Sequence, residues 1–160
     1  MIYNILLMSV FVLLWDFIVF ILCKHVKRDK FDSSKNSYRE KNFEKGGNFY
    51  SKTLKIKKWK DLFPQYVSKD GFSKRSFESK SIHYINEFIM ETCRAEWCHK
   101  MCLAAILPII IINQTIVSFI VSVFVILTHL PIICIQRYNR FRLERVKRKI
   151  MKCSLSEVVQ

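Results

Sequence analysis

Long uncharged apolar blocks alternate along this chain with basic polar ones. Residues 1–23, MIYNILLMSVFVLLWDFIVFILC, would extend about 35 Å as a helix, against a hydrocarbon core of about 30 Å. The length predicts a membrane crossing. No basic residue precedes the apolar part, no small-x-small site follows it, and KHVKR comes next, so a retained anchor is expected rather than a cleaved signal peptide. A second block is split by Pro108 and by Asn113-Gln114 into Met101 to Ile112 and Thr115 to Ile135. The later piece spans by itself. The earlier one is short unless it ends a helix that begins near Ile82, in which case the two form a hairpin turning at Asn113 and Gln114.

Between the apolar blocks, FYSKTLKIKKWKDLF (Phe49 to Phe63) interleaves aromatic and aliphatic residues with Lys52, Lys55, Lys57, Lys58 and Lys60. The pattern predicts an interfacial helix whose lysines reach anionic headgroups, with Gly46-Gly47 and Pro64 at its ends. Residues 29–45 and 65–80 are expected to be polar connectors. The predicted fold is therefore all-α and membrane-integral: an anchor (1–23), a basic interfacial region (24–81), a catalytic helix with a membrane hairpin (82–136) and a basic tail (137–160).

Charge sharpens this picture. The 27 Lys and Arg face 13 Asp and Glu, and no Lys or Arg falls in residues 1–23 or 101–136. Basic loops are retained in the cytoplasm, so the N-terminus is expected outside and every basic region inside. The same rule accounts for the net charge of +14 without nucleic acid, which is not an expected partner. The six cysteines include no paired C-x-x-C arrangement; Cys98 and Cys102, one helical turn apart, are expected to be reduced packing thiols, and no metal is expected.

Two places carry chemistry. Asp16 lies inside the anchor, where an ionised carboxylate costs about 2.5–3.5 kcal/mol, so it needs a polar partner or a proton. Steps of three and four from Ile82 trace one helical stripe through Ile85, Ile89, Thr92, Glu96, His99, Leu103, Ile106 and Ile110 to Asn113. It is apolar at both ends and polar in the middle, and it places Glu96 and His99 on one face. A neutral imidazole can take a proton from a hydroxyl, and a neighbouring carboxylate can orient it. Arg94 is a candidate oxyanion donor beside the stripe, and Arg137, Arg140 and Arg142 are candidates for the phosphates of an acyl donor. E-x-x-H alone is also compatible with plain interfacial packing. H-E-x-x-H, G-x-S-x-G, a Walker loop and H-x-x-x-x-D are all absent from the sequence.

NFEKGGNFYSK with IKKWKD, ETCRAEWCH, LPIIIIN and PIICIQRYNRFRL, in order from about Asn42 to Leu143, resembles the glycosyl-4,4'-diaponeurosporenoate acyltransferases of staphyloxanthin-type carotenoid synthesis. R-A-E-x-x-H combined with P-I-I-x-x-Q-R-Y-N-R is more specific than either piece. One departure is Phe141, where the family pattern has proline. The resemblance implies a bacterial cell-membrane enzyme that esterifies the glucose C6 hydroxyl of a glycosylated C30 carotenoid. It implies a fatty acyl thioester, acyl-CoA or acyl carrier protein, as co-substrate and no bound cofactor. Its partners would be membrane lipid, the glycosyl-carotenoid, the acyl donor and other carotenoid-synthesis enzymes. On this reading His99, Glu96 and Arg94 are the expected catalytic residues. Glu91, Asn113, Arg137, Tyr138, Asn139, Arg140, Arg142 and Trp59 are the expected substrate-binding residues. The rival expectation is a non-catalytic membrane scaffold for such enzymes.

Overall fold

The apolar blocks become helices because nothing inside them interrupts backbone pairing except the two prolines, and the computed structural model, which describes residues 2–63 and 82–158, shows how each proline is accommodated. Helix α1 runs Ile2–His25, α2 Ile82–Leu103, α3 Ile106–Ile112 and α4 Ile116–Val158. Three stretches, Ile2–His25, Ile82–Ile112 and Ile116–Cys153, are long and apolar enough to cross a membrane. Much of the apolar surface of α1 and of the first half of α4 is exposed, including Leu13, Phe17, Phe119 and Phe124, as lipid-facing helices require. The expected all-α, membrane-integral architecture with an anchor and a hairpin is what forms.

Pro108 lacks an N–H and so cannot donate to the carbonyl four residues earlier, at Ala104. The chain tightens there: Leu107 N–H donates to Ala104 O at 3.2 Å, and Ala104 N–H donates to Met101 O at 3.1 Å. That break separates α2 from α3. Trp15 Nε1 of α1 also donates to Met101 O, at 2.9 Å, so a side chain from a neighbouring helix supports the backbone where the ladder is irregular. Met8, Ala105, Ile109 and Val117 pack around this kink. The hairpin turns at residues 113–115, as the sequence predicts, and α4 returns against α2. Pro131 lies inside α4 without ending it. The helix likewise passes through Arg137 unbroken, so the expected boundary between hairpin and tail is a change of composition and not of structure.

One expected element does not form. Phe49 to Phe63 is not one interfacial helix but a π-helical turn, Phe49–Thr53, followed by 3-10 turns at Ile56–Lys58 and Lys60–Leu62. Lys55, between them, is left-handed at φ 48°. The apolar residues of this stretch face protein: Tyr50 and Ile56 are buried with Ile135, Tyr138 and Phe141 of α4. This stretch is the second half of a basic strap, residues 37–63; folding it onto α4 gave those side chains a better partner than lipid, and the helix pattern yielded to tertiary packing. Gly47 shows how close the strap lies; at φ 88°, a methyl group added to it would stand 3.4 Å from Phe141 Cβ. The expected end at Pro64 and the connector at 65–80 lie outside the described residues.

Candidate functional site

Where the strap crosses α2 and α4, the charged residues of all three elements converge in the interior. Glu44 and Glu96 are wholly buried, as is Arg140, and Arg137 is nearly so. Arg137 lies between the two carboxylates. Its Nε and Nη2 donate to the two oxygens of Glu44 at 2.5 and 2.7 Å, and its Nη1 donates to Glu96 Oε1 at 2.8 Å. The remaining donors reach Arg39 O at 2.9 Å and Ser37 O at 3.4 Å, so all five guanidinium N–H groups have acceptors. Arg140 Nη2 donates to Glu96 Oε2 at 2.5 Å and to Tyr38 O at 3.2 Å. Lys100, one turn along α2, reaches Glu96 Oε1 at 2.5 Å.

A fork-to-carboxylate pair is the geometry in which buried charges hold one another best, and here two carboxylates answer three cations. Burial pushes Glu44 up, but Arg137, the Tyr50 hydroxyl and the Lys41 N–H all donate to it and hold its carboxyl below the usual carboxylate range. Burial, together with its bond to Glu44, raises the Tyr50 phenol, and burial lifts Tyr38 to about 12. Both phenols therefore stay protonated at neutral pH.

His99 is three residues from Glu96 and belongs to a different set of contacts. Glu96, expected to orient His99 from the same face, makes no hydrogen bond to it; the cations of α2 and α4 stand on both Glu96 oxygens. His99 Nδ1 is instead 3.0 Å from His129 Nδ1 of α4. His129 Nε2 is 3.4 Å from Asp16 Oδ2 of α1, which is the polar partner Asp16 needs inside the anchor. Among the described residues His99 Nε2 has no partner, and the ring is half-buried.

The other expected site residues are scattered. Arg94 pairs with Glu91 at 2.8 Å and lies over the Phe31 ring, away from His99. Arg137 and Arg140 are committed to the buried cluster. Arg142 is exposed, over the Tyr138 ring at 5.7 Å. Tyr138 is buried in the core beneath the strap, and Trp59 packs against that core with its indole N–H on Leu54 O at 2.8 Å. Asn139 is half-buried on α4. Asn113 is at the hairpin turn, at the opposite end of the span from Arg137.

Glu44 and His129 escape sequence reasoning about the site. Glu44 lies in irregular chain, where no periodicity assigns it a face. His129 did leave a signal, as an imidazole within a block otherwise free of charge. Asp16, Cys102 and His129 each place a donor atom within 4.8 Å of the others, and among the described residues this is the grouping that could share a divalent cation.

The fold and these contacts define a small helical membrane protein in which a basic strap is ionically locked to a hairpin, next to a histidine with one ring nitrogen free. The family model described as glycosyl-4,4'-diaponeurosporenoate acyltransferase matches residues 34–149. Curated proteins of that name from Staphylococcus aureus strains MRSA252 and USA300 are 35% and 34% identical over 115 residues, covering 69% of this chain and 68% of theirs. No solved structure matches significantly. The chain belongs to the glycosyl-4,4'-diaponeurosporenoate acyltransferase family and is an acyltransferase of carotenoid synthesis. The matched stretch contains Glu44, Glu96, His99, His129, Arg137 and Arg140, whereas Asp16 precedes it.

Proposed function

We propose that this protein esterifies the glucose C6 hydroxyl of a glycosylated C30 carotenoid with a fatty acyl group from a thioester donor, and that His99 is the general base. The observation that carries the role of His99 is its free Nε2. Within the expected E-x-x-H pair, Glu96 has both oxygens occupied by Arg137, Arg140 and Lys100, while His99 keeps a nitrogen able to accept a proton. As the sugar oxygen attacks the acyl carbonyl, its proton passes to that nitrogen and then to the departing sulfur.

Glu96 acts through the scaffold, fixing α2 against α4 one turn from the base. Arg94, expected as the oxyanion donor, would serve only by leaving Glu91 and the Phe31 ring to turn towards His99; its Nε has no hydrogen-bond partner among the described residues. The basic segments after α1 and at the end of α4 support a topology with the strap and the end of α4 in the cytoplasm, where acyl-CoA and acyl carrier protein reside, and the N-terminus outside. The carotenoid and fatty chains stay in lipid throughout.

Purified protein in detergent, given the glycosyl-carotenoid and palmitoyl-CoA, is expected to yield the ester by mass spectrometry, and His99→Ala to lower its rate by about a hundredfold or more. Full activity in His99→Ala would remove the histidine from the chemistry. No ester from purified protein, alongside ester in cells carrying the gene, would favour a scaffold over an enzyme.

A further inference from the structure

We propose that Asp16, His129 and His99 form a relay across three helices, a contact at ion-pair distance between Asp16 and His129 and a hydrogen bond between His129 and His99, that fixes the tautomer of His99 and presents its bare Nε2 to the acceptor hydroxyl. The inference rests on the acyl-transfer reading above and deepens it by adding two positioning residues from α1 and α4.

The direction of the relay follows from what each atom can do. With Asp16 as a carboxylate, which only accepts, the 3.4 Å approach of Asp16 Oδ2 favours the proton of His129 on the facing Nε2. A neutral His129 then has a bare Nδ1. The 3.0 Å contact between the two Nδ1 atoms requires one donor and one acceptor, so the proton there belongs to His99. A neutral His99 protonated on Nδ1 has its lone pair on Nε2, the atom with no partner among the described residues. The charge on Asp16 thus sets the tautomer of a ring on another helix, through a ring on a third.

The same chain answers the cost of the intramembrane carboxylate. When His99 takes the acceptor proton, the imidazolium forms beside the Lys100–Glu96 pair, at the edge of a stretch with no charged side chain between Met101 and Gln136, and Asp16 offsets it through His129. During the reaction the acceptor O–H bond breaks and its proton moves to His99 Nε2. The new O–C ester bond forms, the C–S bond of the thioester breaks, and the proton leaves Nε2 for the sulfur. Asp16 and His129 end with the protons they began with. Their part is orientation and charge compensation.

Cys102 gives the arrangement a competitor, since it stands near enough to Asp16 and His129 for the three to bind one divalent cation. A metal on His129 Nε2 would displace the proton from that atom. His129 would then donate from Nδ1, and His99 would present Nε2–H, the wrong tautomer for a base. The two arrangements predict opposite protonation at the reacting atom.

The test uses the full chain in detergent, measuring kcat and KM for the glycosyl-carotenoid, the unfolding midpoint and the zinc content. His129→Ala is expected to lower kcat about 10- to 100-fold with KM within about twofold, and Asp16→Asn to lower it about 10-fold. His129→Asn, whose amide oxygen stands where Nδ1 does, should recover part of the loss and covers the case in which His129→Ala does not fold. If His99→Ala is inactive while His129→Ala and Asp16→Asn stay within twofold of the parent, the relay is wrong and the acyl-transfer reading survives. If His99→Ala keeps full activity, the assignment of His99 as base fails first and the relay fails with it, while acyl transfer itself stands. One equivalent of zinc per chain, lost in Cys102→Ala, would replace the relay with a metal site.

Discussion

Two polar clusters lie about one helical turn apart on α2, and they are built on opposite principles. The Glu96 cluster is closed: two buried carboxylates, two arginines and Lys100 occupy one another, the carbonyls of Tyr38 and Arg39 take further arginine donors, and Arg140 Nε alone of its guanidinium nitrogens is left without an acceptor among the described residues. The His99 cluster is open: Asp16, His129 and His99 form a line that ends on an unoccupied nitrogen. A closed ionic cluster holds helices in place, and the open one leaves over the nitrogen on which the role proposed for His99 rests. The two members of one E-x-x-H pair therefore do different work. Changes in the first should damage the fold, and changes in the second should damage turnover in a protein that stays folded.

The largest effect is expected from Glu96→Ala. It leaves Arg137 and Arg140 buried beside an absent partner, a loss of about 3–5 kcal/mol, seen as a large drop in unfolding midpoint in micelles and low membrane yield. His99→Ala should leave that midpoint nearly unchanged while abolishing ester formation; equal damage to both by both variants would dissolve the distinction drawn here.

Arg137→Lys comes next. An ammonium cannot grip Glu44 with two parallel donors while also reaching Glu96, so a cost of about 1.5–3 kcal/mol is expected despite retained charge. Retention of parental stability would mean that charge alone, and not the fork, holds the cluster.

Acid should act through Glu44. Its folded pKa lies below its ordinary value, so the stability it contributes is complete above about pH 4.5 and is lost as pH falls through the lower, folded value. Limited proteolysis of the strap should therefore be constant from pH 8 to 5 and increase below that. Glu44→Gln should make the strap more sensitive at neutral pH and flatten the acid dependence. The smallest effect belongs to Tyr50→Phe, which removes one hydroxyl from Glu44 and keeps the ring on Phe141, at about 1.5 kcal/mol read from the unfolding midpoint, since Glu44 keeps its other donors.

Much of this molecule is legible in one dimension because membranes impose one-dimensional rules. A span must be long, uncharged and helical, so the anchor, the hairpin and its turn at Asn113 follow from runs of residues without any knowledge of contacts. His99 was legible too, because a helix places residues three and four apart on one face.

What surrounds these residues was not legible. Periodicity says that Glu96 and His99 share a face, but only packing decides which neighbours approach that face. Arg137 is 41 residues from Glu96 and 93 from Glu44, and His129 is 30 from His99. The basic strap looked amphipathic because it is; whether its apolar side met lipid or α4 depended on the surface α4 offered. The sequence by itself determined the three apolar stretches, their hairpin and a histidine at a polar interruption, since those depend on local periodicity and on a solvent that is the same everywhere along the span. The tertiary structure alone decided that Glu96 is occupied and His99 is open, because a charge or a lone pair is satisfied by whatever stands within about 3 Å of it, and chain order does not fix that.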